Sequence, residues 1–161
     1  PFQFREIHDF ENGIAVAAIE KNGMPLFGLI EPSGKIITPC QYKMLIVYSG
    51  ELAAVCLPDS KWGYLNRAGQ VAIPCEYQAA NNFSEGLACV KKNGKWGYID
   101  ETGQVKIAFQ FEYAADFSED SACVKKGRWG FIDPTGNLVI PYKFTESGTF
   151  VDVTCYLSTG N

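Results

Sequence analysis

A single histidine, His8, limits the chemistry open to this chain of 161 residues. A serine or cysteine nucleophile needs a general base that accepts a proton near neutral pH, and imidazole is the usual one. His8 lies between Ile7 and Asp9 in an expected inter-strand loop and reads as a surface residue. Paired carboxylates are the other route to hydrolytic chemistry. Asp133, Thr135 and Gly136 are not contiguous, as an aspartic-protease loop would require. Their pattern returns as Glu31–Gly34, Asn66–Gly69 and Asp100–Gly103. An acidic or amide side chain opening a tight turn that closes on glycine explains all four. The same reasoning removes Asp100 and Asp133 as a glycosidase pair.

Cysteines stand at positions 40, 56, 75, 89, 123 and 155. None forms a C-x-x-C pair or a zinc-ligand spacing. Cys89 and Cys123 fall where the runs Leu87–Val90 and Ser121–Val124 want a small apolar residue. Reduced, buried thiols are therefore expected, since a free cysteine behaves as a small hydrophobe. That favours a reducing, cytoplasmic compartment; a signal segment upstream of Pro1 would instead direct the chain to the cell envelope or outside. There is no P-loop and no G-x-G-x-x-G. The expectation is a protein that is not an enzyme, with no catalytic residue, metal or cofactor.

Hydrophobic residues make up 47% and charged residues 20% of the chain, the proportions of a folded domain. A net charge of −4 makes it a poor nucleic-acid binder, because phosphate neutralisation needs clustered lysine and arginine. No apolar run is long enough to cross a bilayer, and no signal-peptide n-region or h-region is visible.

The elements that would have to position any site come from a repeat. Trp62-Gly63, Trp96-Gly97 and Trp129-Gly130 recur at intervals of 34 and 33, with Phe27-Gly28 as a variant 35 residues before Trp62. A second frame runs Pro1 to Phe10, Pro39 to Tyr48, Pro74 to Phe83, Ala108 to Phe117 and Pro141 to Phe150, always nine positions. Of 22 aromatics, 17 occupy these frames, enough to build a continuous core from short strands. Within one copy, Leu87–Val90 reads as a strand and Asn93-Gly94 as a type I′ hairpin turn. Trp96–Asp100 alternates as a second strand and Val105 with Ile107 forms a third, ended by the proline position. Such a meander of about 34 residues buries too little to fold alone, so neighbours must stack. The fold is thus an all-β tandem array of three-stranded antiparallel meanders in a single domain, 1–161. The units are 1–38, 39–73, 74–107, 108–140 and a partial 141–161. An open superhelical stack is expected, with a closed β-propeller as the alternative, because propeller blades carry four strands. The glycine after each tryptophan is expected to admit a backbone or ring of the next unit. A buried Trp62 would make Trp62→Ala cost about 3–5 kcal/mol.

Lys95-Trp96-Gly97-Tyr98-Ile99-Asp100-x-Thr102-Gly103, preceded by Phe83-Ser84-Glu85-Gly86-Leu87-Ala88, resembles the bacterial WG (KWG) β-repeat. The resemblance covers essentially the whole chain and is strongest from Lys61 to Pro141. The first unit departs with Phe27 for tryptophan, and 151–161 lacks the Gly-Leu-Ala signature. It implies a repeat array, often fused to other domains, with a binding or scaffolding role and no catalytic residue to carry over.

Charge follows the repeat. Lys21, Lys61, Lys91, Lys92, Lys95, Lys125, Lys126 and Arg128 flank the expected hairpin tips, while acidic residues gather at the other turns. Stacked in register, the tips of Lys91, Lys92, Lys95, Lys125, Lys126 and Arg128 would form a basic ridge able to dock an acidic protein segment. The competing reading is that lysines at tips and edges prevent edge-to-edge aggregation. A second column, Phe2, Cys40, Cys75, Phe109 and Tyr142, is expected to line the core; exposed, it could stack on sugar rings. The expected function is protein–protein interaction or scaffolding, with a carbohydrate or cell-envelope ligand as the alternative.

Overall fold

The computed structural model describes residues 4–46 and 50–145. The described chain is all β, without helix, and forms four sheets in sequence order. The first sheet holds β1 (Glu6–Ile7), β2 (Ala15–Lys21), β3 (Met24–Ile30) and β4 (Ile36–Tyr42). The second holds β5 (Met44–Leu45), β6 (Leu52–Cys56), β7 (Trp62–Asn66) and β8 (Val71–Tyr77). The third holds β9 (Ala79–Ala80), β10 (Leu87–Lys92), β11 (Lys95–Asp100) and β12 (Val105–Phe111). The fourth holds β13 (Tyr113–Ala114), β14 (Ala122–Lys126), β15 (Arg128–Ile132) and β16 (Leu138–Phe144). In each, the three-stranded meander read from the sequence is present, and a two-residue strand paired to its first long strand makes it four-stranded.

Strand number therefore does not separate this array from a propeller; the connections do. Only Lys43, Gln78 and Glu112 stand between one sheet's last strand and the next sheet's first. One residue spans at most roughly 3.6 Å, whereas returning from the outer to the inner edge of a four-stranded blade means crossing roughly 14 Å. Each sheet hands the chain directly to its neighbour, and the array is open.

The proline position does not end the third strand, as the sequence suggested. Pro39, Pro74 and Pro141 lie inside β4, β8 and β16. Around the equivalent Ala108, Trp96 pairs with Phe111 and Tyr98 with Ile107, so four residues of β12 match two of β11. In that bulge a backbone N–H is not needed for the ladder, which is why proline is tolerated. The boundary between sheets consequently falls just after the third-strand aromatic, not at the proline that opened each sequence unit.

Alternation puts every second side chain of a strand against a neighbouring sheet. Leu52, Ala54, Tyr64, Ile73 and Tyr77 of the second sheet meet Ala88, Val90 and Ile99 of the third, with Ala80 and Phe83. Leu87, Cys89, Tyr98, Ile107 and Phe111 of the third meet Ala114, Phe117, Ala122, Val124 and Ile132 in the same way. The first interface is smaller: Val16, Leu29 and Tyr42 against Val55 and Leu65. The deeply buried aromatics are Tyr42, Tyr64, Tyr98, Phe111 and Phe117. Trp62, Trp96 and Trp129 are only half-buried, and Trp62 and Trp96 pack against the rim of these clusters. The expectation of a buried Trp62 is corrected accordingly. The indole opens its strand at the tip end, and the core lies farther along.

Candidate functional site

The hairpin tips are set by backbone geometry. Asn93 and Gly94 have φ of 52° and 76°, the pair of left-handed conformations that a two-residue I′ turn requires. Asn22 and Gly23 repeat the geometry at 54° and 75°, and Gly127 closes the tighter tip of the fourth sheet at 71°. The strand ends beside these turns carry Lys91, Lys92, Lys95, Lys125, Lys126 and Arg128, so the third and fourth sheets present their cations at one end of the strands. The Asp-x-x-Gly turns and the loops around Glu85, Glu119 and Asp120 stand at the other end.

Much of this cationic end is engaged by the preceding sheet. The Gly94 N–H donates to Gln78 Oε1 at 2.6 Å and the Gly127 N–H to Glu112 Oε1 at 3.1 Å. Lys92 Nζ lies 2.8 Å from Glu76 Oε1, and this hydrogen bond raises the Lys92 pKa. Lys126 donates to Gln110 Oε1 at 2.8 Å, and Lys125 approaches Glu112 Oε2 at 3.9 Å. Lys91 stands 6.0 Å from the Trp96 ring centre, Lys125 5.6 Å from that of Trp129 and Lys92 5.7 Å from that of Tyr77. Tyr113 also packs against Trp129, its ring tilted by 59° with ring centres 5.2 Å apart. Lys61, Lys95 and Arg128 are exposed, each immediately before its tryptophan, and none makes a side-chain ion pair among the described residues, although Asp59 Oδ1 accepts from the Lys61 backbone N–H at 3.2 Å. Glu76, Gln78, Gln110 and Glu112 were missed from the sequence. The recurrence of amide or carboxylate two and four residues after the proline position was the available signal.

The signature glycines have a local cause. A Cβ on Gly97 would stand 2.7 Å from the Ile107 carbonyl oxygen and 2.9 Å from Phe109 Cδ1. At Gly28, Gly63 and Gly130 the bulge of the third strand comes equally close, within 2.5–2.7 Å at its nearest atom. The approaching segment is the third strand of the same sheet, whose bulge straddles the position that opens each sequence unit. The nearest carbonyl comes from the glycine's own unit, while the Phe109 and Tyr142 rings and the Cys40 and Cys75 backbone come from the next unit, as expected.

These are matches to a family as well as to one another. The family model described as WG containing repeat matches residues 1–24, 27–61, 62–96, 96–128 and 129–152. The chain belongs to the WG-repeat family. No curated protein matches this WG-repeat chain. The crystal structure of the computationally designed Ika4 protein is similar at 12% identity and a TM-score of 0.45, covering 83% of this chain and 87% of that one.

The remaining candidates of the WG-repeat chain resolve into structural roles. Asp100 Oδ1 accepts from the Thr102 N–H, the Thr102 hydroxyl and the Gln104 N–H at 2.9, 2.6 and 3.0 Å. The Thr102 hydroxyl is the main reason its pKa falls to about 2. Asp133 makes the same turn with Thr135 and Asn137, and its pKa is lowered likewise. In the column after the proline, Phe109 and Tyr142 pack on the stacked cores, Cys75 on the first interface, and Cys40 donates to the Ala17 carbonyl at 3.3 Å. Phe2 of that column lies outside the described residues. Cys40, Cys56, Cys75, Cys89 and Cys123 are reduced thiols, three of them buried. Cys89 Sγ donates to Asp116 Oδ1 at 3.2 Å; burial, reinforced by that carboxylate, pushes its pKa up, the reverse of a reactive thiol. His8 is exposed, 3.4 Å from Glu6, on the rim of a cleft of about 250 Å3 shared with Asp9, Glu11 and Arg67. Among the described residues no group of three or more His, Cys, Asp or Glu could hold a metal.

Proposed function

We propose that this WG-repeat array is a non-catalytic binding module whose hairpin-tip end docks an acidic segment of a partner protein. One observation carries the reading: Lys61, Lys95 and Arg128 occupy the same frame in three consecutive sheets, exposed beside half-buried tryptophans. An anionic segment lying across the tips would meet one exposed cation in each of these three sheets, which steers encounter and sets register. Lys91, Lys92, Lys125 and Lys126 support this row from behind, since their contacts to Glu76, Gln110, Glu112 and the aromatic rings already tie them to the stack.

The test is capture of partners from lysate by the immobilised array, followed by salt titration of a Glu-rich peptide. Lys61→Gln, Lys95→Gln and Arg128→Gln together should weaken peptide binding and flatten its salt dependence. Binding that ignores both salt and these substitutions would sink the tip reading. Capture of glycans without any protein, lost on replacing Trp62, would transfer the site to the carbohydrate alternative.

A further inference from the structure

One apolar position recurs in every sheet without joining the stack. Ile36, Val71, Val105 and Leu138 are 45%, 55%, 51% and 49% exposed and begin β4, β8, β12 and β16. Each stands two residues before the inward side chain of its strand: Thr38, Ile73, Ile107 and Ile140. The four positions are one sheet step apart, because the turn of each sheet rests on the third strand of the sheet before it. A Cβ on Gly103 would lie 3.4 Å from Ile73 Cγ2, and one on Gly136 3.5 Å from Ile107. Packed sheets are roughly 10 Å apart, so the four side chains form a ladder of about that pitch.

We propose that this ladder seats an amphipathic α-helix of a partner protein, laid along the stack, with an aliphatic residue at every seventh position and lysine or arginine on its flank. Seven helical residues advance about 10.5 Å, one step of the ladder. The strip is scarcely more than one side chain wide, well short of the roughly 800 Å2 per partner that joins two folded copies stably. A single helix fits that width. Strand addition is disfavoured, since Pro39, Pro74 and Pro141 lack a donor in three of the four sheets and a bulge interrupts the edge in all four. Polyproline segments dock in aromatic-lined grooves, and the ladder is wholly aliphatic.

Charge complements a basic flank. The turns opening these strands carry Glu31, Asp100, Glu101 and Asp133; the second turn carries Arg67 instead, which pairs with Glu51 at 3.1 Å. Lys35 and Lys106 pair with Glu31 and Asp100 at 3.3 and 3.1 Å. Glu101 and Asp133 have no cation against them among the described residues, and the whole chain carries −4.

The probe is a Lys-rich helical peptide of four heptads with leucine at every seventh position, compared with the same composition spaced by six. Binding is read by anisotropy and backbone amide shifts on the intact protein. The heptad peptide should bind at least about tenfold tighter, with shifts at Ile36, Val71, Val105 and Leu138. Val71→Thr with Val105→Thr should cost about tenfold while keeping β-branching, and thermal melting checks the fold. Leu138→Gln provides a second variant if the pair unfolds. Lys95→Gln with Arg128→Gln should leave this binding unchanged, which separates it from the hairpin tips. Equal binding of both peptides, or shifts confined to the tips, would overturn the proposal. So would a dimer in light scattering that the valine substitutions dissociate.

Discussion

Gly97 lies directly beneath Phe109: a Cβ on the glycine would come 2.9 Å from the phenylalanine Cδ1 and 2.7 Å from the Ile107 carbonyl oxygen. The ring could rotate away, but the carbonyl belongs to a paired strand and cannot. Gly97→Ala should therefore destabilise the protein by about 1–3 kcal/mol through overpacking, read as a fall in the urea midpoint. Gly94→Ala, with open space around it, should act only through its φ of 76° and cost less.

After Trp62 and Trp96, the tyrosine two residues on holds the core more firmly than the tryptophan does; the fourth sheet has the half-buried Phe131 there. Tyr98 is fully buried, packs 4.8 Å from Phe117 and donates its hydroxyl to the Ala115 carbonyl at 2.7 Å. Tyr64 repeats this with Phe83 at 4.9 Å and the Asn81 carbonyl at 2.6 Å. Tyr98→Ala should cost about 3–5 kcal/mol and Trp96→Ala less, because the indole is already half in water. Tyr98→Phe keeps the packing and should lose about 1–2 kcal/mol for the unsatisfied carbonyl. Chemical denaturation of the three variants gives the order directly.

Acid should loosen the Asp-x-x-Gly turns. Hydrogen bonds, chiefly from the Thr102 hydroxyl, hold the Asp100 pKa at about 2, below its ordinary 3.8. A lowered folded-state value means the contribution is complete above the unfolded value and is lost as pH falls through the folded one. Melting temperature should thus fall between about pH 4 and pH 2, with Asp133 adding in the same direction. Asp100→Asn keeps an acceptor, as Asn66 does for the Gln70 N–H at 3.0 Å, and should flatten that limb.

A misplaced side chain offers a route to stabilisation. Asp120 has φ of 57° where Gly13 and Gly86 occupy the same turn position in other sheets, and Glu119 beside it is also left-handed at 52°. Asp120→Gly should raise stability by about 1 kcal/mol by relieving the steric cost of Cβ there. Its N–H, which donates to Glu85 at 3.1 Å, is retained. A lowered melting temperature would contradict this.

The fold class was legible because two independent frames, Trp-Gly and proline-to-aromatic, repeat with nearly constant interval. The turns were legible because Asn93-Gly94 and Asp100–Gly103 state their backbone needs in residue types. Other features were hidden for physical reasons. Ala79–Ala80 is too short to show alternation. Pro74 reads as a strand end unless the bulge around it is known. The depth of Trp96 relative to Tyr98 depends on where the next sheet lands, and local pattern does not encode that. At the tips, the cations were visible but their partners were not. Lys92 and Glu76 are 16 residues apart and meet only once successive sheets stack.

The single-residue handovers at Lys43, Gln78 and Glu112 also bear on how such an array can grow. No sheet is fenced off by a linker, so the repeat has no privileged first residue. Family matches that begin beside the tryptophan, sequence units that begin at the proline and sheets that begin just past the third-strand aromatic are three phases of one period. Copying any full period, wherever the cut falls, would lengthen the array by one complete sheet with both of its seams already made.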